Sequence, residues 1–126
     1  TYRLTYEIFN NLDSPGEDIG AEIKGEDDEH QIFYGFSSGA FASPLGDGNI
    51  DAAGGVVNYE DEDSDAQDNT GNPVGLITTW TTSSSTLNNG SFTTRLQHQP
   101  DGIKTATSTA TDGDDDFNLT FVLEIN

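Results

Sequence analysis

Phe117-Asn118-Leu119-Thr120-Phe121-Val122-Leu123-Glu124-Ile125 decides how this chain is read. Phe117, Leu119, Phe121, Leu123 and Ile125 share one parity, and mostly polar residues take the other. A period of two marks a strand with one buried face, because successive side chains point to opposite sides of the pleat. The same period opens the chain: Tyr2, Leu4, Tyr6 and Ile8 alternate with Arg3, Thr5 and Glu7.

Working inward, Ile19, Ala21 and Ile23 alternate once more, and 31–36 is a compact apolar run suited to a strand buried on both faces. Leu76, Thr78, Trp80 and Thr82 share a parity, as do Phe92, Thr94 and Leu96. Residues 103–111 alternate Thr with Lys104, Ala106, Ser108 and Ala110 and read as a further strand. Asn88-Asn89-Gly90 reads as a type I′ hairpin turn, since both of its central residues need positive φ. Ser14-Pro15-Gly16 and Pro100-Asp101-Gly102 supply other turns. The Gly- and Ala-rich stretch 39–55 has no period and is expected to be pinned by Phe41, Leu45 and Ile50. Residues 60–73 form the most polar window and read as a long acidic loop. Apolar residues nowhere recur at helical spacing over three turns. The expectation is one all-β domain over 1–126, an antiparallel β-sandwich or jelly roll of about 7–8 strands.

Composition bounds the function. The chain has 126 residues, four Lys+Arg against 23 Asp+Glu, and a net charge of −19. Phosphate binding needs cations that displace counterions, so nucleic acid is excluded as a partner. No apolar run reaches the ~18 residues of a membrane span. With no Cys, disulfide scaffolds and thiolate metal sites are excluded. By surface scaling, one net negative charge falls on roughly every 340 Å². Such a surface suits saline water and a secreted, extracellular or cell-surface setting, and the start at Thr1 is consistent with a processed product.

Two acidic clusters are candidate calcium sites: Asp61, Asp63 and Asp65 in the long loop, and Asp112, Asp114 and Asp116 before the last strand. Alternate acids can turn oxygens toward a hard cation that takes six to eight of them at ~2.3–2.6 Å. Neither cluster completes an EF-hand, whose sixth-position Gly is Ala66 in one and Phe117 in the other. Trp80 and Tyr59 are candidate sugar-stacking residues; the competing expectation is that the lone Trp fills the core. Asn89 begins a glycosylation sequon at what reads as a turn tip. His30 and His98 read as separate structural histidines. No nucleophile motif, phosphate loop or catalytic pair stands out, so no enzyme is expected.

The first functional expectation is a secreted acidic structural domain that self-associates into a homopolymer: a filament, surface layer or adhesive fibre. The N-terminal strand, carrying Tyr2, Leu4, Tyr6 and Ile8, would be its connector, donated to the next subunit. A calcium-dependent module binding surface glycans is the second, and a viral coat or decoration protein the third.

Overall fold

The computed structural model describes residues 1–12, 14–51, 55–63 and 71–126. It is mostly β, with three antiparallel sheets and one short helix among the described residues. In chain order the elements are β1 (Tyr2–Thr5), β2 (Phe9–Asn10), β3 (Glu17–Asp18), α1 (Ile19–Gly25), β4 (His30–Phe36), β5 (Phe41–Ser43), β6 (Ile77–Thr82), β7 (Leu87–His98) and β8 (Asp114–Ile125). The sheets run β1-β6-β5, β2-β3 and β4-β7-β8.

Alternation places the core. In β4 and β7, Ile32 pairs with Leu96 and Phe36 with Phe92. Their inner side chains meet Trp80 of β6. The Trp80 ring lies 5.3 Å from Tyr34, 5.4 Å from Phe36, 4.9 Å from Phe41 and 5.1 Å from Phe92, in tilted or edge-on contacts. These are the arrangements the ring quadrupole favours. Its indole N–H donates to Thr78 Oγ1 at 2.8 Å, so the buried ring carries no unsatisfied donor. The Tyr34 hydroxyl donates to the Gly75 carbonyl at 2.6 Å.

Four local expectations are corrected. Residues 19–25 are helical, not extended. Positions 19 and 23 fit a strand's parity and also one helix face, and Asp18 decides between them: its side chain accepts from the Ala21 amide at 3.0 Å as an N-cap. Residues 103–111 form turns rather than a strand. Their hydroxyls bond nearby backbone, as in Thr105 N to Ser108 Oγ (2.7 Å) and Ser108 Oγ to the Ile103 carbonyl (2.6 Å), which competes with a ladder. Asn89 does take positive φ (57°), but within β7, where the register against β8 shifts between Leu87 and Gly90. The signal for a tight turn was spent on a bulge. Phe41 is buried as expected, whereas Leu45 is exposed. Of the acidic loop 60–73, residues 64–70 lie outside those described, and its flanks are joined by a bridge between Glu62 and Pro73.

The two outer edges of the β4-β7-β8 sheet are treated differently. Loop residues cover β4: Ile32 N donates to the Val74 carbonyl (2.7 Å), Phe36 N to Asp47 (2.8 Å), and Asn49 N to Tyr34 (2.8 Å). Gly48 permits this approach. Its φ is +97°, and a Cβ there would collide with the Tyr34 carbonyl. Among the described residues, no backbone hydrogen bond from another segment reaches the free side of β8.

Candidate assembly groove

β8 is twelve residues long and mostly exposed. Leu119, Phe121 and Val122 are 48%, 53% and 72% accessible. Leu119 and Phe121 share the parity of Phe117 and Leu123, which pack on the core. Their exposure follows from what stands opposite. The N-terminal segment faces β8 across a groove of about 710 Å³ walled by Leu4, Tyr6, Ile8, Phe117, Leu119 and Phe121. A second groove of about 530 Å³ shares Leu4, Phe92 and Leu123 with it and is walled further by Tyr2 and Trp80.

Among the described residues, the ladder of β1 is formed on one side only. Tyr2 to Thr5 pair with Trp80 to Ile77 of β6, in the register Tyr2 with Trp80 and Leu4 with Thr78. The ladder ends at Thr5, so the continuous nine-residue strand expected from the alternation is broken before β2. Beyond it, Tyr6 reaches across to the other sheet: its hydroxyl lies 2.8 Å from Thr94 Oγ1, and its ring stacks on Phe117 at 6.5 Å. Burial pushes the Tyr6 pKa up, and the Thr94 contact partly offsets this. Leu4, Tyr6 and Ile8 are half-buried; Tyr2 is exposed.

The groove walls are nearly uncharged. Residues 1–12 carry Arg3 and Glu7 alone, and 117–123 carry no charge, in a chain of net −19. Arg3 is neutralised locally by Glu60 at 3.0 Å.

The other candidate residues are dispersed. Trp80 is buried in the aromatic core, and Tyr59 is half-buried and donates its hydroxyl to the Ile32 carbonyl at 2.7 Å. Burial pushes the Tyr59 pKa up to about 12, with Asn49 and Gln31 opposing. Asp61 accepts from the Gly75 and Leu76 amides at 3.0 and 2.8 Å. Burial raises its pKa, while those amides pull it down. Asp63 is buried and accepts from the Gly71 amide at 2.7 Å; Asp65 lies outside the described residues. Asp112 turns into its own loop, accepting from Thr109 N and Oγ1 at 2.7 and 2.9 Å. Asp114 stands opposite His98. Asp116 lies 3.6 Å from His30. Among the described residues, neither Asp cluster gathers three ligand atoms within 4.8 Å. Asn89 is exposed on the β7 bulge.

The residues missed from sequence are Leu119, Phe121 and Val122 as an uncovered surface. Their signal was present: 117–123 has neither the Pro nor the Lys with which sheet edges are usually guarded. Comparison with protein-family models, with curated proteins and with solved structures finds no match.

Proposed function

We propose that this chain is an acidic, salt-adapted extracellular structural subunit that self-associates by strand addition. In this reading the two three-stranded sheets are the layers of a β-sandwich left incomplete along its β1/β8 side. One observation carries it: among the described residues, the β4 edge is covered by loops, while the twelve-residue β8 edge is uncovered and shows half-exposed apolar side chains. A long, flat, apolar edge is a template for another strand.

The occupant is the N-terminal segment of a second copy. It matches the groove in period, and its two charged side chains, Arg3 and Glu7, cancel, so it can approach a molecule of −19 at little electrostatic cost. Covering Leu119, Phe121 and Val122 stabilises by about 1 kcal/mol each, before the entropy of association is deducted. A contact between two different surfaces propagates into a filament when its rotation does not close.

The test uses sedimentation and electron microscopy of the intact chain in high salt, with and without a synthetic peptide of residues 1–12. Polymers that the peptide caps and shortens are expected. Leu119→Asp/Phe121→Asp, both at exposed positions, should remain folded by circular dichroism and fail to polymerise. A chain that sediments as a monomer at every concentration overturns the reading. Polymers indifferent to both peptide and substitutions overturn the assigned connector.

A further inference from the structure

The chain's two histidines stand apart in sequence and come together in space. His30 opens β4, His98 closes β7, and the ladder makes them direct partners. Their rings lie parallel within 11°, with centroids 4.7 Å apart. His30 is buried, and its Nδ1 lies 3.0 Å from the Glu26 carbonyl.

Carboxylates surround the pair. His30 Nε2 lies 3.6 Å from Asp116 Oδ2, and His98 Nε2 lies 3.3 Å from Glu29 Oε2. The Glu26 carboxylate lies 4.0 Å from His30 Nδ1. Asp116 owes its position to a bulge: Gln97 pairs with Asp115 and Leu96 with Phe117, so Asp116 is the extra residue of β8. Bulges re-aim side chains in this way.

One ligand atom from each of Glu26, His30 and His98 falls within 4.8 Å of the others, the one such group among the described residues. From these positions we infer that His30, His98 and Glu26 hold a divalent transition-metal ion of the zinc class, with Glu29 or Asp116 supplying the fourth ligand. Imidazole nitrogen with carboxylate oxygen suits that class, whereas calcium takes oxygen alone. At bonds of about 2.0–2.1 Å, ligands of a tetrahedral ion stand about 3.3 Å from one another. Of the three nitrogen–carboxylate contacts, those of Asp116 and Glu29 are already close to that length, and that of Glu26 is longer at 4.0 Å. Closure requires Glu26 to swing inward and His98 to turn about its side-chain bonds. Both are at the surface: Glu26 is 51% and His98 36% accessible, while His30 is the fixed member. A bound ion would tie the C-terminal end of α1 to the ends of β4, β7 and β8.

The test is calorimetric titration of the intact, chelator-treated chain with Zn²⁺ in moderate salt, with Co²⁺ as an optical probe. One ion per chain is expected, with a raised melting temperature and the intense visible absorption of four-coordinate Co²⁺. His98→Gln should weaken binding at least tenfold; Glu22→Gln, an equal or larger change of charge outside the cluster, should leave it unaltered. Undiminished zinc binding by His98→Gln, or displacement of zinc by equimolar Ca²⁺, overturns the proposal, since either means carboxylates alone attract the ion. His30→Gln removes a buried side chain and so is replaced by a measurement on the native chain: the ring nitrogens of both histidines should shift in NMR spectra on adding one equivalent of Zn²⁺. Shifts confined to one ring, or to neither, overturn the proposal as well.

Discussion

Tyr6 and Thr94 are 88 residues apart in the chain, and their hydroxyls are 2.8 Å apart in the fold. This contact carries the N-terminal segment past the end of its ladder with β6 and onto the β4-β7-β8 sheet. Thr94 is buried, so Tyr6→Phe leaves its hydroxyl without that partner. The expected loss is about 1–2 kcal/mol in denaturant unfolding. Amide exchange should accelerate at residues 2–8 ahead of the rest of the chain. Uniform acceleration everywhere would mean that the segment is not held by this contact.

Alkaline pH should act through three tyrosines. Burial raises the pKa values of Tyr6, Tyr34 and Tyr59, so in the folded state each resists ionisation. The unfolded chain releases these protons near the ordinary value of about 10. A folded pKa above the unfolded one means that stability is full below about pH 10 and falls as pH rises toward the folded values. Phenolate absorbance from these three rings should therefore appear together with unfolding. Phenolate formation by all of them in a chain that keeps its circular dichroism would contradict the burial.

The helix α1 rests on its cap. Asp18→Ala removes the acceptor of the Ala21 amide and should cost about 1 kcal/mol. Asp18→Asn should retain most of that stability, because the amide oxygen can take the same bond. Equal losses in the two variants would assign the effect to charge and not to capping.

Much of this fold was legible in the sequence, and the misreadings have identifiable causes. Period two located β1, β6, β7 and β8, each with one face toward the aromatic core around Trp80, and the compact apolar run 31–36 located β4, which is buried on both faces. It failed at Ile19, Ala21 and Ile23, where Ile19 and Ile23 satisfy both periods and only the capping bond chooses. It failed again at 103–111, where Thr and Ser bond their own turn. The groove was half legible: the apolar parity of both its walls could be read, but not that β8 would remain unpaired on one side. The His30–His98 pair was invisible, since it depends on β4–β7 register.

Covering the β4 edge depends on Gly48. Gly48→Ala forces a side chain against the Tyr34 carbonyl at positive φ. The loop should withdraw, releasing the Asn49 amide from Tyr34 and the Phe36 amide from Asp47. The expected result is a loss of about 2 kcal/mol or more and faster exchange at the Phe36 and Asn49 amides. Since β4 then becomes a second uncovered edge, aggregation should become insensitive to Leu119→Asp/Phe121→Asp. If those substitutions still prevent association in the Gly48→Ala background, the loop is not what protects β4.

Salt should govern stability and association together, and the two can be separated. Four cations are set against 23 acids, and three of the four are already engaged. Arg3 meets Glu60, Arg95 meets Asp115, and Lys104 is buried with its ammonium 2.5 Å from the Asp27 carbonyl. Burial lowers the Lys104 pKa, although Asp63 and Asp27 oppose it. Little positive charge is left to offset the excess of acids. Raising salt from about 0.01 M to 1 M shortens the screening length from roughly 30 Å to 3 Å, so the melting temperature should climb by several degrees. Association should follow the same direction, because two copies of −19 repel over their whole surfaces. Near the groove, however, few charges remain: Glu7 and Glu124 line its walls and are exposed. Glu7→Gln/Glu124→Gln should therefore lower the salt needed for half-maximal assembly more than Glu22→Gln/Asp101→Asn, which changes the net charge equally outside the groove. Melting temperatures of the two double variants should differ little. Equal shifts in the assembly midpoint would show that only net charge matters, and that the copies do not meet at the β1/β8 side.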